Sequence, residues 1–199
     1  MTIHKIKLKE VNLQFIQQLQ QAHPQEDMEL EIIVRPVSDT PSSQTTMDEA
    51  EFWKIIALFN WEKIGDDDAV MASAITYLSE KSVQDIQIFQ DILSEKLYLL
   101  DGQVYAQNIG DSAYQKDAHF SVDNFLYARC CVVANGKRYY EHILENPEDM
   151  PKNLTFEALL YLANEAHLKK VGKKWQYVPK WNFETFFNLK GWNSTTPRL

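Results

Sequence analysis
Ser121-Val122-Asp123-Asn124-Phe125-Leu126-Tyr127-Ala128-Arg129-Cys130-Cys131-Val132-Val133-Ala134-Asn135-Gly136 is the stretch that decides the fold. Ser121 leads into the run, Asn135-Gly136 closes it, and hydrocarbon covers most of the helix between them. A helix that is apolar on nearly every side belongs in the centre of a larger assembly. Beyond Asp123 in its first turn it carries one charge. At 100° per residue, Phe125, Leu126, Val132 and Val133 flank Arg129 along the helix surface. An unpaired buried charge is very costly, so Arg129 needs a carboxylate or several carbonyls. Two readings stand: an internal ion pair that fixes helix register, or the anion-binding floor of a pocket.

Outward from this pillar the chain reads as amphipathic helices. Thr46 and Glu49 form a capping box for a helix carrying Phe52, Trp53, Ile56 and Phe59. Asp66, Asp67 and Asp68 suit the start of a second helix with Val70, Ala74, Tyr77 and Leu78 inside. Ser82 with Asp85 opens the longest, in which Ile86, Phe89, Leu93, Leu97 and Leu100 recur every three or four residues up to a stop at Gly102. Lys137–Glu145 is a short helix ended by Asn146-Pro147, and Thr155 caps a last long one through Val171. Residues 103–120 show no period and are expected to be functional or at least ordered by their neighbours. The fold class is therefore mainly α, about six helices over 47–199, with an aromatic-rich tail from Lys173 that seats its rings in grooves.

The first 46 residues read differently. Lys5-Ile6-Lys7-Leu8-Lys9 alternates with period two, Asn12 opens a short helix with Leu13, Ile16 and Leu19, and Met28, Leu30 and Ile32 alternate again. This is a strand–helix–strand head over 1–35, followed by a Pro/Ser/Thr linker over 36–46. Two strands leave open edges, so a homodimer through the N-terminal strands is one expectation.

The net charge of −8 argues against a main role in gripping phosphates or anionic lipid, and no nucleic-acid or membrane partner is expected. The charge is uneven: residues 47–115 sum to −9 and residues 116–199 to +3. No run approaches the ~18 apolar residues of a membrane span. The N-terminus lacks an apolar signal core, and the two cysteines are adjacent, where a disulfide is strained. These features lead to the expectation of a cytoplasmic protein.

Four residues are candidates for binding: Arg129, Tyr140, His167 and Trp53. His167 lies on a stripe with Phe156, Leu159, Leu160, Ala163 and Val171, which suits a histidine at the core's edge better than a catalytic base. Cys130 and Cys131 read as inert packing. His142 and Glu145 lack a second ligand pair, so no metal is expected. Neither G-x-S-x-G, nor H-E-x-x-H, nor a phosphate-cradling glycine loop appears, so no catalytic residue and no cofactor is assigned. The Lys169-Lys170-Val171-Gly172-Lys173-Lys174-Trp175 run fits a helix C-terminus better than a nucleic-acid patch.

Phe52-Trp53-Lys54-Ile55-Ile56, the segment Phe125 to Tyr140, and Glu157-Ala158-Leu159-Leu160-Tyr161-Leu162-Ala163 together resemble the bacterial domain-of-unknown-function family DUF4240. The resemblance runs from about residue 47 to 175; it implies a helical domain and transfers no site residue. The functional expectation is a non-catalytic interaction or regulatory module that recognises another protein. The alternative is a small-molecule or anion binder, or an enzyme, with a pocket around Arg129, Tyr140 and the 103–120 loop.

Overall fold
The computed structural model describes residues 46–173 and 175–193, all within the unit spanning 44–199. The expected head over 1–35 and nearly all of the linker lie outside the described residues. So does the expected pairing through the head's strands. Among the described residues there are eight α-helices and no strand. They are α1 (Glu49–Ile56), α2 (Asp67–Glu80), α3 (Val83–Leu99), α4 (Gln103–Ala106), α5 (Val122–Ala134), α6 (Lys137–Glu145), α7 (Leu162–Val171) and α8 (Leu189–Asn193). No described helix is long and apolar enough to cross a membrane.

Helix α5 is the pillar. From Phe125 to Ala134 every residue is buried except the half-buried Tyr127. Ser121 caps it by accepting from the Asn124 N–H at 3.2 Å, and Gly136 closes it at φ 91°. Helix α3 packs on α5 and α7, and α2 packs most extensively on α7. Phe52, Phe89, Ile86, Leu93, Leu97 and Phe125 are fully buried where these helices meet. Each such side chain contributes roughly 1.5–3 kcal/mol of burial, so the core rather than helix propensity holds the bundle.

The helices depart from expectation in three places. Helix α1 is capped by Asp48, which accepts from the Glu51 N–H at 2.8 Å, and not by Thr46. The N–H groups of Thr46 and Met47 are instead taken by the buried Asp85 carboxylate at 2.9 and 3.0 Å, which holds the entering chain extended. Asp48 then stands at the turn's entrance, where a carboxylate suits the helix dipole. Asp85 also completes the expected capping box with Ser82.

Helix α3 ends at Leu99, just ahead of the expected stop at Gly102, whose φ is −158° and which starts α4. The last long helix is not capped by Thr155. Residues Glu157–Tyr161 form a 3-10 turn, and α7 begins at Leu162. Phe156 explains this: its N–H donates to Tyr127 O at 3.0 Å and its ring is wedged against Phe59 and Trp61. The chain is pinned outside the helical region there, with Phe156 at φ −147° and ψ 70°, and the helix starts later and tighter. Finally, α4 and α8 raise the number of helices from six to eight, because four or five residues are too few to show a period.

The aperiodic stretch 103–120 is ordered by its neighbours. Asn153 donates its N–H to Ile109 O at 2.9 Å and accepts from the Asp111 N–H at 2.8 Å, while Lys152 bonds Asn108 O. Gly110 sits under this staple at φ 95°, and a Cβ there would lie 2.8 Å from Asn153 Cγ.

Candidate functional site
The last turn of α3 gathers the polar groups of the molecule. A helix C-terminus leaves carbonyls without intrahelical donors and carries partial negative charge. Three of these carbonyls find side-chain donors: Lys96 O accepts from Tyr140 Oη at 3.3 Å, Leu97 O from Arg129 Nη1 at 2.9 Å, and Tyr98 O from Asn188 Nδ2 at 3.1 Å.

Arg129 is fully buried and touches no carboxylate directly. Its Nη1 also donates to Phe183 O at 2.9 Å, and its Nη2 donates to Thr185 Oγ1 at 3.0 Å. The Thr185 hydroxyl in turn donates a hydrogen bond to Val122 O at 2.8 Å. The guanidinium carbon sits 4.7 Å from the centre of the Phe125 ring, and Nε has no partner. Desolvation pushes the group down to about 10, with the Asp101 carboxylate acting in the other direction, so it stays charged at neutral pH. Of the two kinds of partner the sequence allows, the structure supplies carbonyls and a hydroxyl.

Asp101 is the second anchor. A carboxylate just past a helix C-terminus faces an unfavourable dipole, and it is fully buried here. Three donors offset this: the N–H groups of Phe186 (3.2 Å) and Asn188 (2.9 Å), and Trp192 Nε1 (2.8 Å). Asp91, one face along α3, is the third anchor. It accepts from Tyr177 Oη at 2.8 Å and from the Lys180 N–H at 3.0 Å, and pairs with Lys180 Nζ at 2.9 Å. Residues 175–193 therefore form a strap laid along α3, held by Asp91, Arg129 and Asp101 in turn.

Trp53 and Tyr140 are brought together on another side of the same turn, with ring centres 5.4 Å apart. The nearly buried Lys96 lies over the Tyr140 ring and pairs with Glu49 at 3.1 Å, which also accepts from Trp53 Nε1 at 3.2 Å. The tryptophan and lysine donors hold the Glu49 carboxyl below its ordinary range. Burial pushes the Tyr140 hydroxyl up. His167 stands apart from both clusters. Its ring stacks on Trp175 at 5.7 Å, Trp175 stacks on Tyr177 at 5.4 Å, and its Nδ1 is buried without a partner. Burial also pushes the Cys130 thiol up, as expected for packing rather than reactivity.

Not read from the sequence as site residues are Asp91, Asp101, Lys96, Glu49 and Thr185. Asp101 left one usable signal, an acid at the wrong end of a long helix. The others are ordinary polar positions until the strap arrives. The surface depressions that are best formed among the described residues, about 420 and 430 Å³, are shallow and lie along α2, around Ala72 and Thr76, away from Arg129.

Two expected results follow from this geometry. Gly191 is pressed on the α3–α4 junction so closely that a Cβ would stand 2.9 Å from Gly102 Cα and overlap Asp101 O. Gly191→Ala should lift α8, and Trp192 fluorescence should shift to the red in the variant. The Tyr177 hydroxyl, in turn, is pushed up to about 12 by desolvation and by its bond to Asp91. A phenol with a raised folded pKa contributes stability that is whole below its unfolded value of 10.0 and is lost as pH climbs through about 12. An alkaline titration followed by tryptophan emission should show a loosening in that window that Tyr177→Phe lacks.

A family model described as a protein of unknown function, DUF4240, matches residues 47–169. Neither a curated protein nor a solved structure matches the chain. The matched stretch runs from the entrance of α1 to the last turn of α7 and takes in α5 with Arg129. The chain belongs to the DUF4240 family.

Proposed function
We propose that this protein is a non-catalytic interaction module that recognises another protein through the outer face of its C-terminal strap. One observation carries the reading. The strap turns Val178 (85% exposed), Leu189 (65%) and Phe187 (55%) to solvent, with Trp181 and Phe186 partly exposed beside them. These side chains lie within twelve residues of chain, and the buried anchors beneath them fix the backbone on which they stand. Exposed hydrocarbon gathered on one short segment suits a protein-binding surface, and a segment held rigid loses little entropy on binding.

The backbone at Phe186 supports the same reading. Its φ of 77° is unfavourable for a bulky side chain, and the Asp101 carboxylate holds its N–H there. Within this reading Arg129 is a positioning residue: it clamps Phe183 and Thr185, which set the strap's course.

Affinity capture from cells that carry the protein natively tests the proposal. The wild-type chain should recover a partner that Phe187→Asp loses while melting at an unchanged temperature. Identical sets of proteins recovered by both chains would overturn it.

A further inference from the structure
The strap is held the way a peptide ligand is held. The backbone–backbone hydrogen bonds of Phe187, Leu189 and Gly191 stay within the strap. Side chains of the helices tie its backbone down: Asp91 takes the Lys180 N–H, Asp101 takes those of Phe186 and Asn188, and Arg129 donates to Phe183 O. Main-chain bonds of this kind supply affinity in peptide recognition, and contacts to individual side chains supply specificity. Here Trp175 stacks on His167, Lys180 pairs with Asp91, Trp181 lies 4.9 Å from Tyr98, and Thr185 meets Arg129. Asp91, Tyr98, Asp101, Arg129 and His167 all belong to the stretch that the family model matches, and the strap lies wholly beyond it.

The strap fits this bed incompletely. Among the described residues three buried side-chain atoms have no hydrogen-bond partner: Gln90 Oε1, Arg129 Nε and His167 Nδ1. Their residues are 7%, 0% and 8% exposed. Arg129 and His167 both touch the strap, and Gln90 precedes Asp91 on α3. Buried polar atoms are nearly always paired, so the bed has bonding capacity that the strap leaves unused. The strap also holds Phe186 at φ 77°, a strained conformation for a bulky residue.

We infer that the bed along α3 is a peptide-binding groove, with the strap as its displaceable occupant and a segment of another protein as its partner. The strap is the template for that segment. Asp91, Asp101 and Arg129 together carry one negative charge, which Lys180 balances, so the partner is basic at that position and aromatic on both sides of it. A segment that spares the Phe186 strain and reaches the unpaired atoms competes with a strap present at high local concentration. This goes beyond the reading of the strap's outer face, because the groove lies beneath the strap.

A fluorescently labelled synthetic peptide of residues 175–193, titrated into the full chain and followed by anisotropy, tests the inference. The wild type should take it up, and its own strap should become open to protease as the peptide saturates. A chain carrying Lys180→Ala and Trp192→Ala holds its strap less tightly and should bind the unaltered peptide about tenfold more tightly. A peptide carrying the same two changes should bind the wild-type chain at least about tenfold more weakly, since it lacks two bonds to buried carboxylates.

A wild type that takes up no peptide makes the strap a fixed part of the fold and overturns the inference. So does uptake that leaves the chain's own strap resistant to protease, or equal binding of the altered and unaltered peptides. A wild type that sediments as two chains and returns to one when peptide is added would make another copy's strap the occupant, and would overturn the assignment to a separate partner.

Discussion
Arg129→Met should lower the unfolding free energy by about 3 kcal/mol and expose residues 175–193 to protease while the helical core remains folded. Methionine fills much of the space of the arginine stem and packs adaptably, so the change isolates the loss of the donors. Leu97 O, Phe183 O and Thr185 Oγ1 each lose an N–H partner in a place closed to water. An unmet buried acceptor costs about 1–3 kcal/mol, and relief from desolvating the guanidinium offsets part of the total. Arg129→Lys should recover only part of the stability, because an ammonium lacks the planar fork that spans two elements at once. Urea denaturation gives the energy, and limited proteolysis shows where the chain opens. A strap as resistant in Arg129→Met as in wild type would contradict the clamp.

Asp101→Ala should cost a similar amount, about 3–4 kcal/mol, through stranded donors instead of acceptors. The N–H groups of Phe186 and Asn188 and the indole N–H of Trp192 all end on this one carboxylate. Phe186 would be released from its left-handed conformation and α8 from the α3–α4 junction. Arg129 would lose the carboxylate that most favours its charged form. Asp101→Asn keeps one accepting oxygen and should lose about half as much. The Arg129→Met and Asp101→Ala effects should not add, because both free the same strap. A double-mutant cycle should show a shortfall of about 1–2 kcal/mol from the sum.

The pillar could be read in the sequence because its cause is local. A helix with hydrocarbon on nearly every side has to be central, whatever surrounds it, and α5 is. The same holds for the Ser82–Asp85 box and the Asp66 cap, each of which acts within a few residues. Expectations failed where a distant group intervened. Asp85 drew in the N–H groups of Thr46 and Met47 and moved the first cap to Asp48. Tyr127 O, Phe59 and Trp61 held Phe156 and delayed α7.

The candidate residues divide along the same line. The burial of Arg129 followed from its neighbours on the helix, whereas Leu97, Phe183 and Thr185 as its partners did not. Trp53 and Tyr140 lie on separate helices and meet only when these pack, with Lys96 and Glu49 joining them there.

By itself, then, the sequence determined a helical domain around one apolar helix, the presence of a buried guanidinium within it, and the uneven charge of its parts. These depend on periodicity and composition, which act over one or two turns. Tertiary structure alone decided that the aromatic tail becomes a strap, that Asp91, Arg129 and Asp101 hold it, and that Val178, Phe187 and Leu189 face outward. Those outcomes depend on hydrogen bonds between residues more than fifty positions apart, and no local pattern specifies which distant donor reaches a buried carboxylate first.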